Sequence, residues 1–152
     1  MNDTHYYEVN IDWTKDRRGR ATSPILPQPI EVATPPEFAG GEPWIWSPEH
    51  LFAAAVNSCL MTTFLAIAGN SKLEYLSFHS KAKAKLEKVE GKFLMSEIIL
   101  APVVNLAEGQ SEERALRVLE KAEANCLISN SIKSKIIFQP KVTIASAATE
   151  KL

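Results

Sequence analysis

Eighteen consecutive residues, Leu51 to Ala68, carry no charged side chain, and any fold of this chain must find somewhere to put them. A run of that length touches the lower limit for a membrane span. Its composition argues against one. The run is rich in alanine, holds Asn57, Ser58, Thr62 and Thr63, and has no flanking basic cluster or companion span, so a helix buried inside a protein core fits better. Ser47-Pro48-Glu49 gives that helix a strong start: serine is a favoured N-cap, proline suits the first helical position, and a first-turn glutamate complements the helix dipole. The helix is expected to end at Gly69. Roughly 21 residues at about 1.5 Å each span about 31 Å, apolar nearly all round, which predicts a central helix covered on several sides.

The flanking segments read as strands. Tyr7, Val9, Ile11 and Trp13 alternate with Tyr6, Glu8, Asn10 and Asp12, the pattern of a half-buried strand. Lys15 to Gly19 has turn chemistry, a second strand follows through Arg20, and Ile30 to Val32 offers a short third strand after Pro24, Pro27 and Pro29. Pro35 to Trp46 reads as an ordered loop, with Gly40-Gly41 for a tight bend and Trp44 and Trp46 as apolar anchors. Beyond the helix, Phe78, Ser80, Ala82, Ala84 and Leu86 alternate with His79, Lys81, Lys83, Lys85 and Glu87, a strand with one charged, solvated face. Phe93 to Leu100 returns as the second arm of a hairpin turned at Gly91, continuing toward Val104.

Ser111 then caps a second helix, with Glu112 and Glu113 in its first turn and Ala115, Val118, Leu119, Ala122 and Cys126 on one face. Ser129 to Lys133 adds a short helical turn. Ile136, Phe138, Val142 and Ile144 form a last strand, and Ala145 to Leu152 a frayed tail. Strands, long helix, strands, helix, strand is an α+β order, and one domain over residues 1–152 is the expectation.

Seventeen basic side chains against eighteen acidic ones leave a net charge of -1, so no global field recruits nucleic acid or an anionic membrane. There is no scaffold for a dinucleotide and no glycine-rich phosphate loop. The start, Met-Asn-Asp-Thr-His-Tyr-Tyr, lacks the basic and apolar regions of an export signal, and two cysteines are too few for a disulfide scaffold, so a reducing cytoplasm is expected. His5, His50 and His79 are scattered without metal-ligand intervals, and the cysteines lack CxxC spacing; a zinc site is not expected.

That leaves the thiols. Cys59 lies in Asn57-Ser58-Cys59, the polar middle of an otherwise apolar helix, where polar groups need partners or a purpose. Taken singly, each cysteine reads equally as a small buried hydrophobe.

The segments around them resemble a known pair of motifs. Ser47-Pro48-Glu49-His50-Leu51-Phe52-Ala53-Ala54-Ala55-Val56-Asn57-Ser58-Cys59 and Ala122-Glu123-Ala124-Asn125-Cys126-Leu127-Ile128-Ser129-Asn130-Ser131-Ile132-Lys133 resemble the two cysteine motifs of the osmotically inducible protein C and organic hydroperoxide resistance (OsmC/Ohr) superfamily. The likeness covers essentially the whole chain and implies an α+β fold with antiparallel sheets around a long central helix, in an intertwined homodimer with shared active sites. It implies a thiol-dependent peroxidase for organic hydroperoxides that needs no cofactor. Cys59 would be peroxidatic, Cys126 resolving, and an external dithiol the reductant.

A buried thiol has its acidity weakened, and the field of the helix fades after the first turn, so Cys59 needs a cation. The family supplies an arginine oriented by a glutamate. Glu49 matches the glutamate, but ten helical residues put it about 15 Å from Cys59, so it is expected to serve the partner subunit's site. For the arginine, Arg17-Arg18-Gly19-Arg20 resembles the Arg-x-Gly of one branch: Arg17 fits best and Arg18 is a close rival. Each also reads as a residue of a solvated basic turn, and Glu49 as a simple complement to the helix dipole. Leu127 departs from the family pattern, standing where better known members carry proline. Phe52, Val56, Phe64, Trp44 and Trp46 are candidate apolar walls of a substrate pocket. A redox sensor that forms the disulfide without turnover, or a ligand-binding dimer with inert thiols, would use the same residues differently.

Overall fold

The computed structural model describes residues 3–145; the tail expected from Ala145 onward lies, beyond that residue, outside them. The described chain packs as two compact units dividing after Leu51.

The first unit carries a three-stranded antiparallel sheet in the order β1 (Asn10–Lys15), β2 (Arg18–Ser23), β3 (Leu26–Ala33). β1 begins later than the alternation suggests, and its residues are exposed throughout, Trp13 at 79%. Period-two patterning correctly marks an apolar face here, with Ile11 opposite Ala21 and Trp13 opposite Gly19. It cannot say that the chain itself provides the cover, and for this face the chain does not. β3 is longer than the three residues expected, because Pro27 and Pro29 sit in an edge strand where a missing N–H is tolerated. In the following loop the Gly41 position allows no side chain: a Cβ there would stand 1.9 Å from the Pro35 carbonyl oxygen. Trp46 bridges Val32 through the backbone, but the loop tryptophans are not anchors within the chain, Trp44 being 99% exposed.

Helix α1 (Pro48–Asn70) starts where the sequence puts it and runs one residue past Gly69. Ser47 is fully buried, and its hydroxyl accepts the His50 N–H at 3.1 Å and meets His50 Nδ1 at 2.6 Å. Within the second unit one stripe of α1, Val56, Leu60, Phe64 and Ala68, enters the core. Spacing of four residues places these on a single face. Phe64 stacks on Phe78 with centroids 4.9 Å apart and meets Tyr75 edge-on at 5.1 Å. The helix is therefore covered on one side by its own chain, not on several; Leu65, on another face, is 41% exposed. By length and hydropathy alone α1 could cross a membrane, yet its buried stripe is committed to the sheet.

That sheet is built on a long hairpin, β4 (Ser77–Val89) and β5 (Lys92–Leu106), turned at Glu90-Gly91 with both residues at positive φ, the geometry that matches strand twist in a two-residue loop. Its Lys81, Lys83 and Lys85 are exposed as the alternation predicts. α2 (Glu112–Ala124) is capped by Ser111, whose side chain accepts the Arg114 N–H, and buries Ala115, Val118, Leu119 and Ala122. The single last strand of the sequence reading is two, β6 (Lys135–Phe138) and β7 (Lys141–Ile144), both parallel to β5. The sheet is therefore mixed rather than wholly antiparallel. Pro140 separates them, and Pro102 of β5 lies opposite the gap, where its absent N–H costs no ladder bond.

Candidate active site: a thiol pair with unequal acidity

Cys59 sits three turns into α1 and is partly exposed; Cys126 is fully buried in the turn that follows α2. The sequence places Cys126 on the helical face, but α2 ends at Ala124 with Asn125 as its cap, so the sulfur projects from a turn. The core brings the two thiols near enough to act on one another's acidity. Cys126 Sγ also donates toward the Val56 carbonyl at 4.0 Å, and Cys59 Sγ lies 3.9 Å from the Thr63 hydroxyl one helical turn on. Both cysteines are free.

Their acidities are displaced in opposite directions. For Cys59, burial pushes the thiol up, but hydrogen bonds from the Ile128 N–H, the Cys126 thiol, the Thr63 hydroxyl and the Leu127 N–H outweigh it, and the thiol is held below its ordinary range. For Cys126, burial dominates: the Ser129 hydroxyl and N–H act against it, the nearby Cys59 adds to it, and the thiol stays above its ordinary range. A thiolate is the nucleophile in sulfur chemistry, so the partly exposed, more acidic Cys59 has the properties of the better nucleophile of the two.

Spacing arguments miss four participants here: Thr63, Leu127, Ile128 and Ser129. The first is legible only as a residue one helical turn from Cys59. Leu127 and Ile128 act through main-chain N–H groups, which side-chain patterns do not reveal, and Ser129 through its hydroxyl as well as its N–H. Phe64 and Val56 prove to be fully buried core residues and not pocket walls. An open crevice of about 340 Å³ runs along the same stretch of α1, lined by Ala54, Asn57, Ser58, Met61, Phe78, His79 and Ser80. Asn57 Nδ2 donates to the Ser80 carbonyl at 2.8 Å, while Asn57 Oδ1 and the Ser80 hydroxyl are buried without partners.

Arg17, Arg18 and Glu49 belong to the first unit. Arg18 is committed to a carboxylate: its Nη2 meets Glu42 Oε1 at 2.5 Å, its Nε meets Oε2 at 3.3 Å, and Glu31 stands 3.8 Å from Nη1. Arg17 is exposed in the β1–β2 turn, its stem beside Gly40, where an added Cβ would lie 3.1 Å from Cγ. Among the described residues neither Arg17 nor Glu49 makes an ion pair, so the chain does not join either arginine to Glu49. No cluster of three metal-ligating side chains occurs among the described residues.

A family model described as OsmC-like protein matches residues 40–141. YmaD, an uncharacterized protein of Bacillus subtilis, is 25% identical over 148 residues, spanning 95% of this chain and 97% of its own. An OsmC-like protein of unknown function from Vibrio cholerae superposes with a TM-score of 0.80 at 20% identity, covering 90% of this chain and 99% of that one. An organic hydroperoxide resistance protein from Elizabethkingia anophelis superposes with a TM-score of 0.75 at 24% identity, covering 95% and 100%. These likenesses fix the α+β architecture.

Proposed function

The chain belongs to the OsmC-like protein family, and on that premise we propose that it is a thiol-dependent peroxidase for organic hydroperoxides. The observation that carries this reading is a buried Cys126 whose sulfur lies 4.0 Å from the Val56 carbonyl, one turn of α1 from the partly exposed Cys59, the two thiols being displaced in acidity in opposite directions. Structural neighbours named organic hydroperoxide resistance proteins support the substrate class.

The Cys59 thiolate attacks the terminal oxygen of ROOH. The O–O bond breaks as the S–O bond forms, and the alkoxide takes a proton and leaves as alcohol. Cys59 is then a sulfenic acid. The Cys126 sulfur attacks it, forming the disulfide and releasing water, and an external dithiol restores both thiols by two exchange steps while becoming a disulfide itself. The chemistry calls on no metal or organic cofactor.

Arg17 is the proposed cation of this site, because Arg18 already has Glu42. Glu49 is the proposed orienting carboxylate, acting on the site of a partner subunit. Two uncovered apolar surfaces support a homodimer: the face of the first sheet bearing Ile11 and Trp13, and the side of α1 bearing Met61 and Leu65. We place the protein in a reducing cytoplasm, where both thiols are held ready.

The test is consumption of cumene hydroperoxide with excess dithiol by the wild type, Cys59→Ser and Cys126→Ser. Turnover by the wild type alone is expected. Formation of the disulfide without turnover would identify a redox sensor instead, and no reaction a ligand-binding dimer.

A further inference from the structure

The two faces of the second sheet are unlike. Along β5, Ile98, Leu100, Val104 and Leu106 are fully buried in the core. The residues between them, Ile99, Ala101 and Val103, point the other way and are only partly buried. On β4 their register partners are Lys83, Lys81 and His79, with Lys85 following opposite Glu97, and all four β4 side chains are exposed. Same-face positions of one strand stand about 7 Å apart, so three ammonium groups repel along a single row. Only Lys85 has carboxylates beside it, Glu87 at 3.4 Å and Glu97 across the ladder. Opposite Lys83 and Lys81 are Ile99 and Ala101, and among the described residues neither lysine makes an ion pair.

The row runs toward an apolar end. β6 accompanies β5 only from Glu97 onward, so within this chain the hairpin tip is a two-stranded ribbon. There Glu87 pairs with Leu94 and Val89 with Lys92, and the alternation of β4 puts these pairs on the face of Lys81, Lys83 and Lys85. Val89 is 39% exposed and Leu94 48%. A charged row on an edge strand discourages stray pairing, but edge protection calls for no exposed apolar tip.

We propose that this face docks on an anionic lipid bilayer, with Lys81, Lys83, Lys85 and Lys92 against the headgroups and Val89 and Leu94 in the boundary beneath them. Each lysine near an anionic surface adds attraction, and apolar side chains beside the cations add burial at the headgroup–acyl boundary. Nucleic acid fits less well, because these six residues include no arginine fork and no aromatic ring on which a base could stack. The net charge of -1 conceals the row, since a balance over all side chains does not report how they are distributed. The face shares no residue with the two surfaces proposed for the homodimer.

Sedimentation with lipid vesicles tests the docking without peroxide, so its outcome is independent of the peroxidase reading. The protein is expected to pellet with vesicles of phosphatidylcholine mixed with phosphatidylglycerol and to stay in solution with phosphatidylcholine alone. Raising salt from about 0.1 M to about 1 M, which shortens the screening length from about 10 Å to about 3 Å, should release it. Lys81→Ala/Lys83→Ala, with native circular dichroism, should bind about 25-fold more weakly, at about fivefold per lysine, and Leu94→Ser should also weaken binding. Arg117→Ala/Lys121→Ala, which removes the same charge from α2, should bind as the wild type does. Failure to pellet with the phosphatidylglycerol vesicles, binding that salt leaves unchanged, or equal losses in the two double variants overturns the proposal. Retention on duplex DNA that these vesicles fail to displace would overturn it too, assigning the row to nucleic acid.

Discussion

Arg18 and Glu42 hold one another through two N–H···O contacts, with Nη2 to Oε1 at 2.5 Å and Nε to Oε2 at 3.3 Å. The pairing holds the Glu42 carboxyl below its usual range, and it separates two arginines that adjacent positions in the sequence cannot distinguish. Arg17→Ala is therefore expected to lower kcat/KM for an alkyl hydroperoxide about a hundredfold, the scale of losing one charge-stabilising donor at a reacting centre. Arg18→Ala is expected to act on the β2–loop junction and to change kcat/KM by less than about threefold. Steady-state kinetics on the two variants settles the assignment, and an inversion of the two losses would transfer the role to Arg18.

The unequal acidities make the order of modification a direct readout. With iodoacetamide at pH 7 the Cys59 peptide is expected to be labelled first, and labelling should persist below the range of an ordinary thiol. Cys126 should react only at alkaline pH or after unfolding. Equal labelling rates across pH 6 to 9 would remove the basis for distinct roles.

The same shifts carry stability with opposite signs. Cys59 is held low in the folded state, so its contribution is present above the unfolded thiol value, about 8.5, and is lost as pH falls through the folded value. Cys126 is held high, so its burial penalises the fold once pH rises past the unfolded value. Urea unfolding at pH 7 and pH 9.5 is expected to show the wild type losing its stability advantage over Cys126→Ser at the higher pH. A constant difference would contradict the burial of an unionised thiol.

Phe64 fills the middle of the α1 stripe, fully buried between Phe78 and Tyr75. Phe64→Ala is expected to cost about 3–5 kcal/mol in denaturant unfolding, the range for truncating a buried aromatic. Leu65→Ala, on an uncovered face, should cost much less in a monomer; a large loss that depends on protein concentration would instead report a subunit contact.

Light scattering addresses that contact. The wild type is expected at twice the 16.8 kDa chain mass, and Leu65→Lys, which sets a charge on the uncovered side of α1, is expected to shift it toward the single-chain mass at micromolar concentration. A wild type that stays monomeric would leave the proposed sharing of Glu49 without a partner.

Much of this architecture is legible because short-range chemistry decides it. Ser47 and Ser111 mark helix starts through caps that depend only on neighbouring residues, and Gly91 marks the hairpin. What period-two alternation conveys is which residues share a face, not what lies against them, and so Trp13 reads as covered, as Trp44 does as a loop anchor, although this chain leaves both bare. The alternation from Ile136 to Ile144 also passes through Pro140 without showing that the strand breaks there. At the site, two isolated cysteines favour packing by themselves, and it is the surrounding motifs that single them out. Main-chain donors such as those of Leu127 and Ile128 stay invisible, since any non-proline residue supplies one.

The arrangement of the second sheet also sets an order of assembly. β4 and β5 meet through a two-residue turn, a contact that closes within microseconds, whereas β6 and β7 reach β5 only after the chain has passed through α2. Cys126 and its turn lie inside that late loop. The surroundings that displace the acidities of the two thiols are therefore complete only with the finished sheet.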